Sequence, residues 1–117
     1  MLSNRGANPD TSQAWSFYHR VREQFGDWNH VILTFPDEPD RIRGASEHGA
    51  ESKIVQFVDD QGNTLELDGI NFGYDGGTPH ELLAMLLTEG FDDGPGLHAA
   101  VLNPAGENVY PRTIARD

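Results

Sequence analysis

Apolar residues along this chain fall into blocks whose spacing changes from helical to strand-like and back. Trp15, Tyr18, Val21 and Phe25 recur every three or four positions, one face of a helix capped at Asp10 or Thr11. Gly26 follows, where a left-handed residue ends a helix. Asn29–Phe35 is a continuous apolar, β-branched run closed by Pro36 and Pro39, which predicts a buried strand. Lys53–Val58 and Thr64–Leu67 flank the turn residues Asp59–Asn63 and predict a hairpin, with Leu65 and Leu67 on the face opposite Glu66. Leu97–Leu102 and Asn108–Tyr110, separated by Asn103-Pro104-Ala105-Gly106, predict a second hairpin. Residues 1–9 carry no period and read as loose. Residues 36–52 read as a long loop, either mobile or functional.

The strongest local signal lies between Gly73 and Gly90. Thr78-Pro79-His80-Glu81 has the form of a capping box with proline at the first helical position, ahead of Leu82, Leu83, Met85, Leu86 and Leu87. Those five residues cover most of a helix circumference, so this helix is expected to be buried on several sides. Gly90 is placed to stop it. The order of elements predicts one α+β domain over residues 1–117, a small antiparallel sheet of about five strands with two helices packed on one face.

Composition narrows the chemistry. The chain has 117 residues, room for one core. It has no cysteine, which excludes disulfides, thiolate metal sites and thiol nucleophiles. The longest apolar run, Leu82–Leu87, is far short of the about 20 residues a membrane helix needs. The first ten residues lack a signal-peptide core, so a cytoplasmic location is expected.

Net charge is −11, from 19 acidic and 8 basic residues. Between Ile54 and Pro111 there is no lysine or arginine, while Asp59, Asp60, Glu66, Asp68, Asp75, Glu81, Glu89, Asp92, Asp93 and Glu107 fall there. Direct nucleic-acid binding needs cations to displace counterions from phosphate, so it is not expected.

The glycine turn before the Leu-rich helix, Phe72-Gly73-Tyr74-Asp75-Gly76-Gly77, is where backbone amides could meet an anion. Tyr74, Asp75, Gly76, Gly77, Thr78 and His80 are therefore the candidate binding residues. No phosphate-loop motif and no nearby cation accompany them, and Asp75 and Glu81 oppose a phosphate. The run resembles a family of short uncharacterised bacterial and phage proteins with an aromatic-Gly-Tyr-Gly-Gly-small-Gly-Pro turn opening a Leu/Ala-rich helix. Phe72, Gly73, Tyr74, Gly76 and Pro79 match that pattern; Asp75, Gly77 and Thr78 depart from it. The resemblance implies a shared structural element and carries no activity.

None of His19, His30, His48, His80 and His98 stands in metal-ligand spacing, and the acidic pairs Asp59-Asp60 and Asp92-Asp93 sit beside turn glycines. No constellation unites nucleophile, base and stabiliser, so no catalytic residue, metal or cofactor is expected, and the chain is read as a non-enzyme. The functional expectation is a small acidic module, regulatory or inhibitory in kind, that binds a basic protein through exposed aromatics near Tyr74 and Trp28. The alternatives are a nucleic-acid mimic and a small-ligand or anion site at the glycine turn; an open sheet edge or the apolar helix would also permit a homodimer.

Overall fold

A computed structural model describes residues 1–45 and 52–116. Its elements are β1 (Leu2–Ser3), α1 (Thr11–Val21) with a 3-10 turn over Arg22–Gln24, β2 (Trp28–Thr34), β3 (Ile54–Asp59), β4 (Thr64–Asp68), α2 (Gly77–Thr88), α3 (Pro95–Leu102) and β5 (Arg112–Ala115). The five strands form one open sheet in the order β1-β4-β3-β2-β5. This is the α+β class read from the sequence. The sheet is mixed, because β1 runs parallel to β4. It carries three helices, since the second expected hairpin is not one.

One face of the sheet is the core. Val31 and Leu33 of β2, Val55 and Phe57 of β3, and Leu65 and Leu67 of β4 are all buried there, at alternate positions as the pleat requires. Ala14, Tyr18 and Val21 of α1, Leu82 and Leu86 of α2, and Leu97 and Val101 of α3 belong to the same cluster, so the three helices lie on that one face. Each large side chain so buried contributes about 1.5–3 kcal/mol relative to exposure.

The first helix begins as expected. Asp10 accepts from the Gln13 amide at 2.8 Å while the Gln13 side chain accepts from the Asp10 amide at 2.8 Å. It ends early, because the chain tightens into the 3-10 turn, and Gly26 is not left-handed. Gly26 instead leaves room for Asp60, whose Oδ1 would lie 2.4 Å from any Cβ there. The β3–β4 hairpin and its turn stand as predicted, with Gly62 at φ 81°.

The region after α2 departs from the sequence reading. Pro95 sits at the start of α3, and Leu97, Ala100 and Val101 are buried at helical spacing. A six-residue apolar run is ambiguous between strand and helix, and two alanines after an N-terminal proline favour the helix. Asn103, at φ 48°, ends it. The expected strand 108–110 makes a single bridge, Val109 to Ile42, and the true strand is β5. Residues 1–9 are not loose throughout: the Asn4 side chain pairs with the Asp68 backbone at 3.0 and 2.6 Å, continuing the β1–β4 pairing. Part of the expected loop 36–52, with His48, lies outside the described residues. Within the described part, Asp40 and Arg43 donate to the carbonyls of Tyr110 and Asn108, so this stretch is tied to the body.

Candidate functional site

Of the six residues singled out at the glycine turn, Tyr74 packs on Gly76 and Asp75 on His80, while Gly77 and Thr78 lie in the first turn of α2. Gly73, at φ 89°, donates its amide to the Val101 carbonyl at 2.6 Å, and its carbonyl accepts from the buried Asn103 side chain at 3.2 Å. These bonds pin the turn to the end of α3. The Tyr74 ring then lies across Gly76, where an added Cβ would stand 2.4 Å from Cε2. Glycine is needed at position 76 for that approach; its φ of −159° is extended backbone open to any residue.

The capping box does not form. Gly76 is the N-cap of α2 and makes no side-chain cap, Gly77 is the first helical residue, and Thr78 and Pro79 lie inside the first turn. The helix starts earlier because the His80 amide reaches back to the Gly76 carbonyl at 3.1 Å. Pro79 remains among the first residues, whose amides need no intrahelical acceptor, so the shift leaves no bond unmade. In place of a hydroxyl cap, the Asp75 carboxylate contacts His80 Nε2 at 2.7 Å, both side chains exposed.

The same device recurs at the next helix. Asp93 contacts His98 Nε2 at 2.7 Å, Gly94 is the N-cap, and the His98 amide donates to the Gly94 carbonyl at 3.2 Å. Both helix starts read Asp-Gly-x-x-x-His in the sequence, a repeat that would have revealed the device. Its duplication marks the Asp75–His80 pair as a way of starting a helix. A carboxylate beside the positive helix end is stabilising there and repels an incoming phosphate.

Beneath the turn, Phe35, Phe72 and Tyr110 meet with ring centroids 5.1–5.3 Å apart. Two cations lie on this cluster: the Arg43 guanidinium 3.9 Å over Phe35, and the Lys53 ammonium 4.9 Å from Tyr74. Lys53 donates to the Phe72 carbonyl at 3.0 Å. Both residues are buried. The sequence offered no sign of this, because each reads as an ordinary charge beside a polar loop. Burial pushes the Tyr110 hydroxyl up from its usual range, against a hydrogen bond from Asn108 that lowers it.

A second polar centre lies at the opposite end of the sheet. Glu89, at the end of α2, accepts from the Tyr18 hydroxyl, from Trp28 Nε1 at 3.2 Å and from Arg22 Nε at 2.7 Å. Trp28 Nε1 also reaches the Tyr18 hydroxyl at 2.9 Å, and the Arg22 guanidinium stacks 4.5 Å from the Trp28 ring. Burial penalises the Glu89 charge, but the hydrogen bonds and charge of Arg22 outweigh it and hold the carboxyl below its usual range. Burial, with the bond to Glu89, pushes the Tyr18 hydroxyl well up. Trp28, expected as an exposed anchor, is thus a buried member of this network.

The helix then closes on Gly90, at φ 96° as expected. The Phe91 amide reaches the Leu86 carbonyl and the Gly90 amide the Leu87 carbonyl, the paired bonds of a Schellman end, with Leu86 and Phe91 both buried.

Among the ten acids between Ile54 and Pro111, Asp59, Glu66 and Glu89 serve the fold. Asp59 accepts from the amides of Gly26, Gln61 and Asn63 at 2.8–3.0 Å. Its carboxyl carries a burial penalty but is held low by those bonds. Glu66 accepts from Ser3 at 2.8 Å and from Gln56 at 3.2 Å. Among the described residues no group of three or more histidines and carboxylates could hold a metal ion, and no helix is long and apolar enough to cross a membrane. Comparison of the chain with protein-family models, curated proteins and solved structures gave no match.

Proposed function

We propose that this protein is a small acidic interaction module that regulates or inhibits a basic protein partner, which it meets at the end of the sheet marked by Trp28. The supporting observation is a set of four exposed carboxylates there, Glu23, Asp27, Asp60 and Asp92, none of which makes an ion pair among the described residues. Asp27 and Asp60 lie on touching loops, the Asp60 amide donating to the Asp27 carbonyl at 2.9 Å. Glu23 follows Arg22 and Asp92 lies three residues after Glu89, the two residues whose contact ties the 3-10 turn to the end of α2. Arg22 adds little outward charge, because its guanidinium is turned to Glu89 and to the carbonyls of Phe25 and Gly26. Arg116, beside Gly90, is a cation at the margin of this end.

Such a surface speeds encounter with a basic partner more than it deepens binding. The distribution of the remaining acids weighs against a nucleic-acid mimic. Asp68 ends β4, Glu81 lies on α2 and Glu107 in the loop between α3 and β5, all toward the other end of the sheet, so they make no row with Asp60 and Asp92.

The test compares two variants of equal charge. One carries Glu23→Gln, Asp27→Asn, Asp60→Asn and Asp92→Asn; the other neutralises Asp37, Asp68, Glu81 and Glu107. Basic proteins captured on the wild type at low salt and released at about 0.5 M salt are titrated against both. Loss with the first variant and retention with the second is expected. Equal loss would mean unsited charge, and no salt-sensitive capture would sink the reading.

A further inference from the structure

β5 is an edge strand that pairs with β2 along one side alone. The Arg116 amide donates to the Asn29 carbonyl at 3.0 Å, one residue beyond the Ala115–His30 pair. Backbone groups alternate sides along an antiparallel strand. Arg112, Ile114 and Arg116 therefore turn their amides toward β2, while Thr113 and Ala115 turn N–H and C=O outward. Thr113 and Ala115 are exposed, and among the described residues no strand pairs with that side. Four residues with two outward amides form a short but usable template for another extended chain.

Side chains on this strand also alternate. Ile114 stands opposite Val31 and packs against the core, so Arg112, Ile114 and Arg116 share the helix-side face. Arg112 gives one N–H to Asn108 Oδ1 at 3.3 Å, and Arg116 lies along Gly90. Neither makes an ion pair among the described residues. In a chain with 19 acidic and 8 basic residues, this edge is a local reversal of sign: cation, apolar residue, cation, at every second position.

We propose that the β5 edge receives an extended segment of a partner protein with the pattern acidic-x-apolar-x-acidic, which adds to the sheet as a sixth strand. Main-chain bonds to Thr113 and Ala115 supply the attachment, and Arg112, Ile114 and Arg116 select the side chains opposite them. The acidic occupant is chosen over a second copy of this chain. In the fullest antiparallel register between two copies, Thr113 faces Ala115, which sets each Arg112 against the other copy's Arg116, like charges directly opposed. The chain's overall negative charge opposes an acidic segment only weakly, since exposed charges beyond about 8 Å are screened at physiological salt. This inference does not rest on the acidic end described above, whose ligand has the opposite sign.

The experiment is an amide NMR titration of the full chain with the peptide Gly-Glu-Thr-Val-Thr-Glu-Gly, and with its analogue carrying lysine for glutamate. The expected result is a saturable shift centred on Thr113 and Ala115, with hydrogen exchange slowed at both. Affinity for the acidic peptide should exceed that for the lysine peptide by about tenfold or more, and Arg112→Glu with Arg116→Glu should reverse the order. Thr113→Pro removes one outward N–H without touching the ladder to β2 and should abolish binding. If that variant fails to fold, the acidic peptide N-methylated at its strand-facing amides takes its place, and binding retained by it overturns the proposal. Shifts away from β5, equal affinity for the two peptides, or a dimer in sedimentation that protects the Thr113 and Ala115 amides would each overturn it too.

Discussion

Replacing Glu89 by glutamine keeps the shape of the side chain and removes its charge, which isolates what the carboxylate contributes. In the native protein one oxygen takes Tyr18, Trp28 and Arg22 Nε, while the other lies 3.3 Å from Arg22 Nη2. A glutamine oxygen can keep the first set with a neutral acceptor, but its amide then points a donor at the still-charged Arg22 Nη2. Hydrogen bonds to a charged group contribute roughly 1.5–3 kcal/mol against about 1 for neutral ones. The Arg22 and Glu89 side chains are 26% and 17% exposed, so the loss falls short of the about 3–5 kcal/mol for breaking a fully buried pair. A destabilisation of about 2–3 kcal/mol follows, or about 8–12 °C in Tm at about 4 °C per kcal/mol for a domain of this size.

The same carboxylate sets a pH signature. Because its folded value is depressed, its contribution is complete above the unfolded value of about 4.3 and is lost as pH falls through the folded one. Urea melts of wild type and Glu89→Gln from pH 7 to pH 2.5 should therefore converge toward the acid end. A loss below about 0.5 kcal/mol at pH 7, or a gap that does not narrow with acid, would refute the reasoning.

Other perturbations probe the scaffold. Leu86→Ala empties a fully buried site on α2 and should cost about 2–5 kcal/mol, seen as a lowered melting temperature. Gly90→Ala has room for its methyl group near Arg116 but must hold φ 96°, so about 1 kcal/mol of chemical-denaturation stability should be lost through backbone strain. Asp75→Asn and Asp93→Asn alter exposed Asp–His pairs and should each shift stability by no more than about 1 kcal/mol, measured by the same melts. Gly76→Ala should displace the Tyr74 ring, visible as changed ring-proton shifts for Tyr74 in NMR spectra.

What the sequence made legible follows from which interactions are local. The hairpin of β3 and β4, the Asp10 cap and the Gly90 stop are written within a few residues, and each stands where the pattern put it. The strand and helix errors around Leu97–Tyr110 come from a run too short for its period to decide. The edge strands β1 and β5 have two and four residues, too few to show a pattern. At the glycine turn the Asp-Gly-x-x-x-His repeat, and not a threonine hydroxyl cap, marks the helix start. The Glu89 network could not be read, because Tyr18 and Glu89 lie 71 positions apart and their meeting is a property of the fold.

That long-range meeting also bears on where function lies. Arg22, Arg43 and Lys53 all sit against aromatic rings in the fold, over Trp28, Phe35 and Tyr74 respectively, and the latter two are buried. Cation–π contacts of this kind are strongest when desolvated. Arg43 and Lys53, two of the chain's 8 basic residues, are thereby kept from the surface, as Asp59 and Glu66 are among the acids, while Glu23, Asp27, Asp60 and Asp92 remain exposed. A solvent-facing partner therefore meets these exposed carboxylates, and at the β5 edge Arg112 and Arg116. Charge has two uses here: Arg22, Arg43 and Lys53 with Asp59, Glu66 and Glu89 hold the scaffold, and Glu23, Asp27, Asp60 and Asp92 face outward. Substitutions at the exposed carboxylates should therefore alter association and its salt dependence while leaving the melt unchanged, whereas Arg43→Ala should do the reverse.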